Sequence, residues 1–294
     1  MPHTSRRPRP RQPPKRKILE QTDGWSRVEY TSSQNRAQKD AHGNTAPLKM
    51  HLPARDPDLT VDKMREEHER VKKKWIASDH RRKVKEVLEK RIGPEKKWDV
   101  RKAVCVALGS LCVNWHTRIR SVYQFAFFMD VVDIVRASNT SNDIQVCVQE
   151  PRFDQLDRDF FETLNVKVLE DPAAEAELDA TSLFFAPHLE WVSEIPYVKA
   201  GLDSPLYITA SAKWIYERAE RAKETGQDHE SPEQLKVYED AMTAASALRA
   251  SHYEVEFDDN TRMEDSLDLT FYILKEREEE DIDDLAASVE ELTV

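Results

Sequence analysis

Eight residues sit where an apolar segment of the chain gives way to a loop, and their types are those that do chemistry. They are Gly109, Ser110, Asn114 and His116 after one segment, Glu150 after the next, His188 after a later one, and Thr209 and Ser211 after the last. His188, behind Leu183–Ala186 and Pro187, carries an imidazole that titrates near neutrality, so it can move a proton or ligate a metal or haem iron. Glu150, followed by Pro151, offers a carboxylate that can orient such a histidine; the two are the candidate catalytic pair of a transferase or hydrolase. His116 lies between Trp115 and Arg118, a mixture suited to stacking on a ligand. A helix starting near Thr117 directs free backbone N–H groups at an anion in the preceding loop, which points to a small phosphate- or carboxylate-bearing ligand. Each residue also has a structural role open to it. Glu150 can cap a turn or pair with Arg152, and His188 can fasten the Pro187 turn to a backbone group.

Several familiar chemistries fit poorly. The loop ALGSLCVNWH has one glycine where a dinucleotide fingerprint needs three, which argues against a classical NAD or FAD cradle. The chain contains neither GxxxxGK[ST] nor a GxSxG elbow. His116, Glu150 and His188 come from three separate loops without ligand spacing, so no metal set is assigned. Cys105, Cys112 and Cys147 are odd in number and lack a CxxC pair, the pattern of reduced packing residues in an intracellular protein.

These residues need a scaffold, and the unit Lys102–Ala137 is its centre. Ala103–Leu108 is a short, β-branched apolar run stopped by Gly109-Ser110, as in a parallel strand covered on both faces. Ile119–Val135 is apolar on nearly every side and reads as a buried helix. Further strands are expected at Ile144–Val148, Val166–Leu169, Ser182–Ala186 and Leu206–Ala210. Helices are expected at Asp157–Leu164, Trp214–Lys223 and Glu233–Leu248, with Pro196–Leu202 as a connection. Tyr253–Phe257 and Leu267–Leu274 read as a closing pair of strands. Upstream, Val61–Ile92 carries helical periodicity, with Ser78-Asp79 placed to cap a second helix and Gly93-Pro94 to end it. The alternation of strands and helices predicts a three-layer Rossmann-like α/β domain with a mostly parallel sheet. In such sheets ligands bind beyond the carboxyl ends of the strands, where the eight residues lie.

At 294 residues, with 39% hydrophobic and 34% charged residues and a mean hydropathy of -0.72, the chain can bury one core and leaves long polar flanks. Residues 1–58 read as a disordered basic and Pro-rich tail, 59–275 as the α/β domain (helical segment 61–98, core 102–274), and 276–294 as an acidic tail. Within the first tail, Arg6, Arg7, Arg9, Arg11, Lys15, Arg16 and Lys17 form a cluster that can act as a nuclear import signal or contact an acidic partner. A net charge of -11 argues against general nucleic-acid binding. No apolar run reaches the roughly 20 residues needed to span a bilayer, so the expected setting is cytoplasmic or nuclear, with protein partners.

From Lys102 to Leu274 the chain resembles the sensitivity-to-red-light-reduced (SRR-like) domain family. Four islands carry the likeness: VALGS with the helix containing Tyr123-Gln124-Phe125; QEPRF followed by DRDFFETLNVKVLE; LFFAPH; and FDDNTRMEDSLDLTFYIL. The chain departs from the family's pattern in having Glu150-Pro151 for an aspartate-proline segment, Leu189 for a cysteine, and Thr209-Ala210-Ser211 for a glycine-asparagine-serine turn. The resemblance implies regulation, since relatives are associated with circadian-clock and light signalling in plants and with control of haem synthesis in animals. It makes haem a candidate cofactor, through His188 or His116.

Overall fold

The computed structural model describes residues 15–20, 26–31, 55–92, 97–189, 191–211, 213, 216–217, 232–257 and 269–275. The chain divides into two units, Met1–Leu52 and Pro53–Val294.

In the first unit, β1 (Lys15–Glu20) and β2 (Ser26–Thr31) pair antiparallel, with Lys15 opposite Thr31 and Glu20 opposite Ser26. Of the span read as a disordered tail, these two segments are therefore strands. Ile18, Val28 and Tyr30 are residues of high β-propensity. The rest of residues 1–54, and the acidic tail 276–294, lie outside the described residues.

The second unit opens with Arg55 bridging Val113 and with the Asp56 N–H donating to the Cys112 carbonyl at 3.0 Å. Helix α1 (Val61–Ile76) is capped by the Thr60 hydroxyl, which accepts from Lys63 N at 3.3 Å, and buries Met64, His68, Val71 and Trp75 along one stripe. Helix α2 (Asp79–Ile92) starts on Ser78, whose hydroxyl accepts from Arg81 N at 3.2 Å. Next come β3 (Lys102–Val106), α3 (Trp115–Ala137), β4 (Gln145–Gln149), α4 (Gln155–Thr163) and β5 (Lys167–Val168). After a 3-10 turn at Ala173–Glu177 follow β6 (Ser182–Ala186), α5 (Trp191–Ala200), β7 (Leu206–Ala210), α6 (Pro232–Ser251), β8 (His252–Phe257) and β9 (Leu269–Leu274).

The sheet runs β5-β4-β3-β6-β7-β9-β8. Its first five strands are parallel; β9 is antiparallel to both β7 and β8. Alternation along each strand divides the core in two. Ala103, Cys105, Leu183, Phe185, Ile208 and Phe271 meet α1 to α4, whereas Val104, Phe184, Tyr207 and Tyr272 meet α5 and α6. Three layers result, as the sequence predicts. Phe125, Phe127 and Phe128 of α3 are 0–1% exposed, and Phe128 stacks on Phe185 at 5.4 Å; each such ring contributes about 1.5–3 kcal/mol by burial. One expectation is corrected. Pro196, read as part of a connection, lies inside α5, where its missing N–H removes a single helical bond while Tyr197 and Val198 enter the core.

Candidate functional site

Register brings the strand ends to one edge: Val106 lies opposite Gln149, and Ala186 opposite Thr209. From β3 the chain moves outward to β4 and β5, then returns to place β6 on the other side of β3. This reversal falls between the carboxyl ends of β3 and β6, the position at which doubly wound sheets form a crevice and take ligands.

On the β3 side, Ala107 and Gly109 both have positive φ, 56° and 78°. The turn is held by Glu150 from the end of β4. Its Oε2 accepts from Gly109 N at 3.0 Å, and its Oε1 accepts from Arg152 N at 3.2 Å and Arg152 Nε at 3.3 Å. On the β6 side, Nε2 of the exposed His188 ring meets Gln124 Nε2 of α3 at 2.6 Å. Two arrangements satisfy the contact: the amide donates to the imidazole, or the ring's Nε2–H donates to the amide oxygen with the amide turned over. Ser121, one turn before Gln124, lies under Gly109: a Cβ on Gly109 would come 2.9 Å from its Oγ. The same face of α3 thus serves both sides of the crevice.

The remaining predicted residues go elsewhere. Ser110 donates to Asp157 Oδ2 at 2.8 Å, and Leu111 N donates to Asp157 Oδ1 at 2.8 Å, tying the loop to the capping box of Asp154 and Asp157 at the start of α4. Cys112, Asp154 and Asp157 have potential ligand atoms within 4.8 Å of one another. Burial first, and the adjacent carboxylates second, raise the Cys112 thiol far above its ordinary range, which opposes thiolate ligation. Thr209 is buried under the rim and donates to the Ala186 carbonyl at 3.2 Å. Ser211 accepts from Lys213 N at 3.2 Å. Asn114 and His116 are exposed at the start of α3. Trp115 and Arg118, read as a stacking pair for a ligand, serve packing. Arg118 is 3% exposed and held by Glu67 at 2.8 Å and Asp56 at 3.0 Å, and its guanidinium and that of Arg70 lie 5.3 and 5.2 Å from the Trp115 ring.

Glu150 and His188 share an edge, yet β3 separates the strands that carry them, about 10 Å of sheet. The contacts described above join each to another residue, Glu150 to the Gly109 turn and His188 to Gln124. Gln124 and Ser121 were not picked out by the sequence, although a buried polar residue in a helix apolar on every side is the signal that finds them.

Glu194 of α5 is a further residue without a sequence flag. It is fully buried, and neither carboxyl oxygen has a hydrogen-bond partner. The Tyr207 and Thr209 hydroxyls face it, but neither forms a well-aligned bond, and Thr209 gives its proton to Ala186. Burial raises the carboxyl to about 8, against the pull of those two hydroxyls. A separate cleft of about 650 Å³ lies beside the start of β4; two of its charged lining residues, Arg158 and Lys167, pair with Glu170 and Glu177.

Five parallel strands, helices on both faces and a reversal of strand order between β3 and β6 define a Rossmann-like α/β protein. The SRR1 domain matches residues 79–254, and the chain belongs to that family. No curated protein matches the chain. Among solved structures, it is similar to "Crystal structure of a putative O-methyltransferase from Klebsiella pneumoniae", at 13% identity and a TM-score of 0.36, over 77% of this chain and 93% of that one. A likeness of that size carries nothing about ligand or activity. No helix among the described residues is long and apolar enough to cross a membrane.

Proposed function

We propose that this SRR1-domain chain is a regulatory protein of the cytoplasm or nucleus that acts through protein partners and takes a small ligand in the crevice between β3 and β6. One observation carries the reading. The polar groups at the strand ends hold loops rather than stand ready to react: Ser110 serves Asp157, Glu150 serves the Gly109 turn, and Thr209 serves Ala186. The role that relatives play in clock, light or haem regulation agrees with it. The test is to incubate the purified chain with a metabolite extract and follow every component by mass spectrometry. The expected result is retention of a ligand without turnover. Turnover abolished by His188→Ala would overturn the regulatory reading.

The contact between Gln124 and His188 favours a second reading, an acid–base enzyme of transferase or hydrolase type in which Gln124 rather than Glu150 orients the imidazole. The exposed rings of His188 and His116 also leave haem ligation open to test. A haem titration with no Soret change, or one unaltered by replacing both histidines, excludes it.

A further inference from the structure

The β3 side of the crevice has a chemistry of its own. Gly109 keeps bare backbone at the first β-to-α turn, since its φ is 78° and Ser121 leaves no room for a Cβ. The amide there that would cradle a phosphate already donates to Glu150, whose negative charge repels a second anion at that point. A carboxylate has about four acceptor positions, and three donors fill three of them. The Arg152 side chain is 48% exposed, so its contact with the carboxylate contributes little and is readily released. Glu150 itself is 8% exposed, which strengthens whatever donates to it. Opposite, one atom of the Gln124 amide faces His188 and the other has no partner, in a side chain 1% exposed, and a hydroxyl can serve that atom in either amide orientation. Glu150 therefore selects hydroxyl and amine donors, and the cation described beside it is Arg152. An acidic side chain at the end of the second strand, next to the glycine turn after the first, is where doubly wound sheets receive the hydroxyls of a ribose.

We propose that the crevice binds a ribonucleotide whose 2′ and 3′ hydroxyls donate to Glu150, with Arg152 moving from the carboxylate to the ligand's anionic group. This rests on the reading of the crevice as a small-ligand site. The test is calorimetric titration of the full chain with AMP, GMP, CMP and UMP, then with the 2′,3′-dideoxy form of whichever binds. One ribonucleotide is expected to bind, with affinity falling about tenfold or more on loss of the hydroxyls or in Glu150→Gln. Glutamine retains an oxygen to accept from Gly109 N, and an unchanged thermal melt confirms that the variant folds. Arg152→Ala is expected to weaken the nucleotide and leave the matching nucleoside unchanged. Binding indifferent to the hydroxyls or to Glu150→Gln overturns the proposal, as does failure of all four nucleotides at millimolar concentration. In that last case, native mass spectrometry separates the two readings: a small molecule retained by the chain and lost in Gln124→Ala keeps the crevice as a ligand site, and none retained removes both.

Discussion

Replacing Glu194 by glutamine is expected to stabilise the domain, increasingly so as pH rises. The carboxyl is fully buried without a formed hydrogen bond, and burial moves it from 4.5 to about 8. Because the folded pKa is the higher one, the folded state keeps a proton that the unfolded chain gives up. The stability associated with that proton is complete below 4.5 and is lost as pH rises to about 8. The difference, 8 minus 4.5, is about 3.5 units, which at about 1.4 kcal/mol per unit comes to about 5 kcal/mol, of which about 3 kcal/mol is already gone at pH 7. Glutamine cannot ionise, and its NH₂ can donate to the otherwise unpartnered Tyr207 oxygen. The assay is urea unfolding of both proteins followed by circular dichroism at intervals from pH 5 to pH 9. The gap between their stabilities should widen by about 1.4 kcal/mol per pH unit up to about pH 8 and then level. Glu194→Leu, which adds no hydrogen bond of its own, should show the same slope. A gap independent of pH in both variants refutes the argument and means that the carboxylate is ionised in the fold.

His68 predicts the opposite arm of the profile. Both ring nitrogens are buried without partners among Phe125 and Phe160, and burial lowers its pKa from 6.5 to about 4. Stability should therefore fall between those values on acidification, by about 3 kcal/mol, and His68→Leu should abolish the fall in urea unfolding. Gly109→Ala meets both a left-handed backbone and the Ser121 hydroxyl, so it should cost about 1–3 kcal/mol in a thermal melt. Adding Ser121→Ala should recover part of that loss, and no recovery would contradict the contact. Asp130 on α3 accepts from Trp75 Nε1 at 2.9 Å and pairs with Arg81 at 3.1 Å. Asp130→Ala should cost about 3 kcal/mol and shift tryptophan fluorescence, because α1 and α2 each lose a polar contact with α3.

Much of the scaffold could be read from residue patterns, for a physical reason. Strands covered on both faces must be apolar throughout, so KAVCV, QVCVQ and SLFFA announce themselves and their parallel arrangement together. Sheet order could not be read, because local pattern does not say on which side of β3 the returning strand β6 will pair. Strand β5 retains only Lys167–Val168 of the expected Val166–Leu169. Helix α5 was missed at Pro196, where the propensity of one residue was outweighed by the burial of Tyr197 and Val198. The β1–β2 ribbon was missed because a run of lysine and arginine hides a two-residue alternation.

The site was legible in its edge but not in its contacts, and α3 explains why. A helix apolar all round has no face that periodicity can orient, so the partners of its polar residues stay hidden until the register is known. Arg118, Ser121, Gln124 and Asp130 are its buried polar residues among those described, and they meet α1, the Gly109 turn, His188, and the α1–α2 pair in turn. A buried polar group is retained when it has a partner, so such residues mark where other elements must arrive. Here they connect the crevice, through one rigid helix, to the helical pair that covers this face of the sheet. In the regulatory reading, a ligand seated against Gln124 and the surface offered by α1 and α2 share that helix. On that reading, α3 is the element through which the two would be coupled, because it carries contacts to both.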